Sequence, residues 1–492
     1  MNALLIYPRF PDTFWGFRHS LKVIGKKASS PPLGLLTVAA ILPDDWKLLL
    51  IDMNVSDLSD EDLAWADVAM ISAMVLQRNS TRDVVARCRA HDVTVVAGGP
   101  LFSSEHDDFP DIDHFVLGEA EVTLPDFLDD LKRGEARRIY ESCDWADLAD
   151  TPIPRWDLVH PKHYASRNVQ YSRGCPHDCD FCSVTELFGH KPRTKSAEQM
   201  LAELDSLYDL GWRGTVGFID DNLMGNRNRL VRELLPALIE WRRDKDGMAF
   251  STQITMKLAD DPELMDLMVR AGFSAVFIGI ESIDEASLAE CSKRQNENRD
   301  MLADIKRIQR AGMQVQGGFI VGFDHDTTGV FDRMASFIEK SGIPLAMVGT
   351  LQAPAGTRLF ERLRSSGRIR PDSSGDNTGG TTNIIPTMGL EALERGYREM
   401  MIQLYSPSVY YKRMRTFLRE YRPGRSRAKL RGWHVLAFLR SLYFLGIAGR
   451  ERFHYQGLLV WTLVHNPRAF PTAIVLAISG YHLRLCMSGD PA

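Results

Sequence analysis

The stretch Tyr171-Ser-Arg-Gly-Cys175-Pro-His-Asp-Cys179-Asp-Phe-Cys182 decides how the rest of the chain is read. Three cysteines fall at spacing C-x3-C-x2-C behind a short β-like run, Asn168 to Tyr171. Thiolates at this density suit a soft metal centre. A complete iron–sulfur cluster usually takes four cysteine ligands. No fourth lies nearby in sequence, so three would leave one iron open to a small molecule. The alternatives are a structural zinc completed by His177 or His190, or three packed thiols. Zinc sites usually bring a second C-x2-C knuckle or a His pair, and neither is present.

At 492 residues the chain is expected to hold two or three domains. Its 44% hydrophobic and 25% charged residues are ordinary for a soluble globular protein. A net charge of −5 gives no electrostatic reason to expect nucleic acid as a partner. Of the seven cysteines, Cys88, Cys143, Cys291 and Cys486 are scattered, which fits a reducing cytoplasm and not a disulfide framework. The apolar run Ala3 to Tyr7 is too short for a signal peptide. Ala469 to Leu483, the longest uncharged apolar stretch, is shorter than the ~20 residues that span a bilayer. The expected location is cytoplasmic.

Residues 1–140 alternate strand and helix patterns. Ala3–Tyr7, Lys47–Ile51, Val68–Ser72, Thr94–Ala97 and His114–Leu117 are short apolar runs, as in strands buried on both faces. Helical patterns at Leu33–Leu42, Asn79–His91 and Glu121–Arg133 intervene. This predicts an open, parallel, Rossmann-like sheet with ligands beyond the carboxyl ends of its strands. The loops there carry Ser72-Ala-Met74, Gly98-Gly-Pro100 and Gly118-Glu119-Ala-Glu121. The pair Gly98-Gly99 would allow close backbone approach by a ligand, or would simply make a turn. Phe14 and Trp15 are either core or cover for a ligand.

Residues 141–167, with Thr151-Pro-Ile-Pro154, predict an extended linker. Residues 168–352 repeat a strand-then-helix unit six times. Ser196-x-x-Gln199 caps the first helix, which stops at Gly211. Six such units predict a partial (β/α)6 barrel with chemistry at the carboxyl ends of its strands. The polar residues there are Asp220-Asp221-Asn222, Gln253 with Lys257, Glu281 and Gln352. The fifth strand, Gly317-Gly-Phe319-Ile-Val-Gly-Phe323, contains glycines that suggest either ligand approach or tight packing. Residues 353–492 predict a mobile loop, Pro371 to Thr387, and then a helical domain. There Arg413, Arg415, Arg419, Arg422, Arg425, Arg427 and Arg431 precede apolar helices, compatible with a bundle or with peripheral membrane contact.

The cysteine stretch, with Phe181 before its last cysteine, resembles the cluster motif of the radical S-adenosylmethionine (SAM) enzymes. That resemblance implies a [4Fe-4S] cluster on Cys175, Cys179 and Cys182, with SAM chelating the open iron. It also implies an external electron donor of flavodoxin or ferredoxin type. SAM contacts would come from Phe181, Asp220, Asp221, Gln253, Glu281 and Phe319. The N-terminal part resembles a cobalamin-binding domain, implying cobalamin contacts at Ser72, Met74, Gly98, Gly99, Pro100 and Glu119. One departure is clear: none of the thirteen histidines has an acidic residue two positions before it, so the usual D-x-H-x-x-G lower-ligand motif is missing.

The whole resembles the cobalamin-dependent radical SAM proteins that include hopanoid and bacteriochlorophyll C-methylases. This implies methyl transfer to an unactivated carbon after hydrogen abstraction by a deoxyadenosyl radical. The substrate would be a small molecule, and the apolar C-terminal region points to a hydrophobic one. No residue is assigned a catalytic role. Rearrangement or ring closure without methyl transfer, and a non-catalytic sensor of cobalamin or redox state, are the rival readings.

Overall fold

The apolar runs of the N-terminal part become the strands of one sheet. They are β1 (Asn2–Tyr7), β2 (Lys47–Asp52), β3 (Val68–Ser72), β4 (Thr94–Gly98), β5 (His114–Val116) and β6 (Ile139–Tyr140). All pair in parallel, in the order β2-β1-β3-β4-β5-β6. The structure, a computed structural model, describes residues 1–370, 375–424 and 432–488. Leu4, Leu5, Ala69, Val95 and Phe115 are fully buried, as expected for strands covered on both faces. Sequence reading misses β6, because two residues are too few to show a periodicity.

A second sheet starts with β7 (Ser166–Val169). A small antiparallel pair follows, β8 (Ser172–Arg173) with β9 (Arg193–Thr194). Then come β10 (Thr215–Phe218), β11 (Ala249–Gln253), β12 (Phe273–Glu281), β13 (Gln314–Val321) and β14 (Ala346–Thr350). The larger sheet is wholly parallel with strands in sequential order from β7 to β14. Right-handed crossovers added always on the same side place the helices on one face. The helix Ala197–Asp209 begins with the expected capping box of Ser196 and Gln199.

Three regions gain detail that the sequence does not show. The expected linker, residues 141–167, packs against the N-terminal part: Trp156 and Tyr164 are buried, and the Tyr164 hydroxyl donates to Asp52 Oδ2 at 3.1 Å. Of the expected mobile loop, residues 371–374 lie outside the described residues, and the remainder is packed. There Ile384 is fully buried, and the Asn383 side chain bonds both the N–H and the carbonyl of Ala353. Its Asn383, Thr378 and Thr382 side chains make hydrogen bonds that composition alone could not locate.

The third region is the basic run, which packs as the bundle reading expects. Arg413 is 1% exposed, lies 5.2 Å from the Tyr405 and Tyr410 rings, and donates to the Leu404 carbonyl at 3.1 Å. Arg419 lies over Trp461, and Arg425, Arg427 and Arg431 fall outside the described residues. The helices Leu390–Tyr405 and Pro407–Glu420 pack on the barrel helix Val330–Ser341. Three further helices follow: Gly432–Phe444, Arg452–His465 and Phe470–Ser488. Among the described residues one stretch, Pro467–Met487, is long and apolar enough to cross a membrane, and 39% of its apolar window is buried against the protein.

Candidate functional site

In the N-terminal sheet the strand order reverses between β1 and its neighbours β2 and β3, which opens a crevice at the carboxyl ends. A cleft of about 1400 Å³ occupies that place. Its N-terminal wall includes Phe10, Asn54, Ser72, Met74, Gly99 and Pro100, and Trp15 borders it. The opposite wall comes from the second sheet, through Asn168, Gln170 and Ile219. The two sheets therefore face one cavity with their carboxyl ends.

Of the residues expected to touch cobalamin, Ser72, Met74, Gly99, Pro100 and Glu119 line the cleft. Gly99 has φ +93°, and a Cβ there would meet Ser72 Oγ at 2.8 Å, so glycine is required by backbone and by space. Gly98 serves the sheet: a Cβ would strike the Val116 carbonyl of β5 at 2.7 Å. Phe14 is core, packed edge-on against Tyr405, whereas Trp15 is 37% exposed beside the cleft.

The cysteines ride on the excursion closed by β8 and β9. Gly174 opens it with φ +89°, where a Cβ would sit within 3.0 Å of three carbonyl oxygens. The Cys175 N–H donates to Gly189 O at 3.2 Å, and the Cys182 N–H to Cys179 O at 3.1 Å. Asp180 is held by Ser292 Oγ at 2.9 Å and by Arg358 at 2.8 Å. All three thiols are half-buried. Burial pushes the Cys175 thiol up, and pushes Cys182 to about 11, with the Cys179 charge adding to both. Three sulfurs in one another's field need a compensating cation, which a metal centre supplies.

Among the described residues, one group of three His, Cys or acidic donors converges within 4.8 Å, and it contains none of these cysteines. Neighbours that sequence reading misses complete the site. Lys293 is deeply buried; burial works to lower its pKa, but the charges of Glu281, Cys179 and Cys182 raise it above the ordinary value. Gln295 Nε2 approaches Cys179 Sγ at 3.7 Å. Cys291, more than a hundred residues along the chain, feels the charge of Cys179, yet its thiol is buried beside the Leu288 carbonyl. No local motif marks these residues, because the turn after β12 delivers them.

The expected SAM residues divide into two sets. Asp220 and Asp221 both grip the strand that leads into the cysteine loop. Asp220 Oδ1 accepts from Ser172 Oγ at 2.7 Å and from the Ser172 N–H, and Asp221 Oδ2 accepts from Gly174 N–H at 2.9 Å. Burial pushes Asp220 up to about 7. Its Oδ2 is buried with no partner, as is Asn222 Oδ1. Two orphaned acceptors two residues apart in sequence could take an ammonium donor.

Glu281 ends β12 with φ +65°, an uncommon conformation for a side-chain-bearing residue, and pairs with Lys293 Nζ at 2.7 Å. Gln253 is exposed at the end of β11. Phe181 packs beside buried Phe323 and Leu351. The Phe319 ring is buried toward the helix layer, 6.2 Å from Phe337, so its side chain belongs to the core. The strand glycines serve packing: a Cβ on Gly318 would meet the Phe277 ring at 2.8 Å, and one on Gly317 would meet the Phe319 ring at 2.7 Å.

Ion pairs join the two halves of the site. Glu119 is 1% exposed at its side chain and takes Arg193 through both oxygens, at 2.5 and 2.7 Å. Glu121 takes Arg173 at 2.6 and 3.1 Å. Burial opposes the charge of Glu121, yet the bonded Arg173 guanidinium holds its pKa below the ordinary value. Both arginines lie on the strands that close the cysteine loop, and both glutamates follow β5. Glu119 thus borders the cleft with its carboxylate already engaged.

Comparison with known proteins agrees with this geometry. Residues 25–128 match the B12 binding domain, 169–338 the radical SAM superfamily and 357–488 a domain of unknown function, DUF4070. The chain is 41% identical over 490 residues to an uncharacterized methyltransferase of Synechocystis sp., covering 98% of this chain and 91% of that one. It is 33% identical to the hopanoid C-2 methylase of Rhodopseudomonas palustris, covering 84% and 78%. The fold is similar to that of the radical SAM methyltransferase TsrM from Kitasatospora setae, with TM-score 0.64, 13% identity and coverage of 94% and 99%. With the cysteine loop, the cleft and these relatives in agreement, the chain belongs to the cobalamin-dependent radical SAM methylases.

Proposed function

We propose that the chain methylates an unactivated carbon of an apolar small molecule, with Cys175, Cys179 and Cys182 holding a [4Fe-4S] cluster. The observation that carries this reading is the shared cleft of about 1400 Å³, walled by the carboxyl ends of both sheets. With cobalamin in the cleft and the cluster and SAM on the neighbouring cysteine loop, these groups would supply hydrogen-abstracting power and a transferable methyl group. The chain's residues bind and align these groups and keep water out. In this reading Asp220 and Asn222 receive the amino group of SAM on their orphaned oxygens. Glu281, fixed by Lys293, receives hydroxyl donors, while Gly99 and Pro100 let the corrin approach the backbone and Trp15 shields it. Alignment of this kind contributes roughly 7–11 kcal/mol toward a barrier.

The apolar substrate class rests on the C-terminal helices, where Leu436, Leu439, Tyr443, Phe453, Val464 and Val475 are each more than two-fifths exposed. Such a surface suits contact with a membrane from which an apolar substrate is drawn, and one relative is named for methylating a hopanoid. The test is anaerobic reconstitution with iron, sulfide and cobalamin, followed by SAM, a reductant and candidate polycyclic lipids. The expected product gains the mass of one methylene. Turnover of SAM with a product of unchanged mass, or of lower mass from lost hydrogens, would replace methylation by rearrangement or ring closure.

A further inference from the structure

Far along the chain from the cysteine loop, a second set of soft donors lies where the two ends of the molecule meet. The helix Arg18–Ile24 packs against the helix Phe470–Ser488. His19 comes from the first. His482 and Cys486 come from the second, one helical turn apart and so on one face. One donor atom from each of the three residues lies within 4.8 Å of the other two.

The hydrogen bonding around these residues is that of a ligand set. His482 is 1% exposed, and its Nε2 faces the Phe14 carbonyl at 3.0 Å. A carbonyl only accepts, so the ring proton sits on Nε2 and Nδ1 keeps its lone pair. Metal-binding histidines are usually oriented in this way, by a carbonyl on the far nitrogen. Nδ1 receives one long contact, from the His19 N–H at 3.4 Å. Cys486 Sγ lies 3.6 Å from Nδ1 and 3.5 Å from Nε2. Nearly equidistant from both nitrogens, the sulfur stands beside the ring, so ligation by Nδ1 requires the Cys486 side chain to turn toward that nitrogen. His19 Nδ1 is buried without a hydrogen-bond partner.

Burial keeps both imidazole rings neutral, as ligation requires, while it holds the Cys486 thiol protonated until a cation displaces the proton. Burial pushes His482 down to about 4, so its ring is neutral and able to ligate at neutral pH. Burial pushes the Cys486 thiol up to about 11, and the negative charges of Asp12 and Asp376 add to that. Arg18 and Lys22 act against a cation at His19. A groove of about 410 Å³, bordered by Asp12, Thr378 and Glu394, gives access from solvent.

We propose that His19, His482 and Cys486 bind a divalent ion of the zinc class, with the fourth position left to water from the groove. The Cys486 sulfur binds as thiolate and its proton passes to solvent; no electron moves. Because the Phe14 carbonyl is the partner of His482, the ion would staple the segment that carries Trp15 to the C-terminal helix.

Cobalt(II) is the probe. The full-length chain, with its iron–sulfur centre reconstituted, is titrated anaerobically and followed by absorbance and metal analysis. The expected result is one cobalt per chain beyond the iron, with a thiolate-to-cobalt charge-transfer band. Cys486→Ser should abolish the band, and His19→Asn should weaken binding at least tenfold. The band should survive in the Cys175→Ala/Cys179→Ala/Cys182→Ala chain. Zinc should raise the Tm of the parent chain and leave that of Cys486→Ser unmoved, a readout that needs no loaded cofactor. Absence of stoichiometric cobalt, a band that survives Cys486→Ser, or a band lost only with the three loop cysteines would overturn the proposal.

Discussion

The two large sheets are both six-stranded and wholly parallel, yet they border the shared cleft in different ways. In the N-terminal sheet the chain lays β2 on one side of β1 and the later strands on the other. Helices then cover both faces, and the only gap is the crevice at the reversal, after β1 and β3. In the second sheet each strand adds to the same side, so the helices share one face and the other is left concave. That concave face is closed by other parts of the chain. The cysteine loop and the Lys293 turn border its carboxyl end, and Trp15 of the N-terminal part lies 6.3 Å from Phe277 of β12. Connection order, more than strand composition, decides whether a parallel sheet offers a slot or a bowl.

If the bowl carries the reactive centre and the slot a carrier, damage to each should differ in kind. The largest effect is expected for Cys179→Ala: near-complete loss of the iron–sulfur absorbance and of methyl transfer, with cobalamin still bound. Retained absorbance and turnover would sink the ligand assignment.

Next in size is Glu119→Ala, which strands Arg193 beside a buried site. Removing one partner of a buried ion pair costs about 3–5 kcal/mol. Urea unfolding should show that loss without cobalamin. If stability holds and only cobalamin affinity falls, Glu119 belongs to the slot as a ligand contact.

Asp220 tests the bowl through pH. Its native pKa of about 7 lies above the usual 3.9 of an unfolded carboxyl. The native state therefore holds a proton that the unfolded chain releases between these values, so stability falls as pH rises from about 4 to about 7. The slope reaches at most about 1.4 kcal/mol per pH unit. Asp220→Asn should flatten the stability profile across that window, and an unchanged slope would remove the assignment.

The smallest effect is expected for Gly99→Ala in the slot. The positive φ and the contact with Ser72 Oγ predict a cost of about 1–2 kcal/mol, with weaker cobalamin binding by equilibrium dialysis. The matched barrel variant Gly318→Ala should disturb the Phe277 ring and leave cobalamin binding alone.

What could be read early was whatever is local or periodic. The apolar runs matched β1 to β5 to within a residue at each strand end, since alternation and burial are properties of neighbours in sequence. The C-x3-C-x2-C spacing and the Ser196–Gln199 capping box lie within a dozen and four residues respectively, so no fold is needed to see them.

Other features needed the folded chain. Asp220 and Asp221 read as a strand-end pair, but their bonds to Ser172 and Gly174 join residues nearly fifty apart. Lys293, Gln295 and Cys291 reach the cysteine loop from over a hundred residues away. Nothing in the basic run marks Arg413 as the member that tyrosine rings and carbonyls bury.

The sequence by itself determined the parallel α/β architecture and the identity of the soft-metal loop, because period and spacing are written along the chain. Only the tertiary structure decided which carboxylates are orphaned and which are paired, and which glycines line the cleft instead of meeting a neighbouring strand. It also brought His19 to His482 and Cys486. These are contacts between distant segments, and their energies depend on burial and on partners that no local stretch contains.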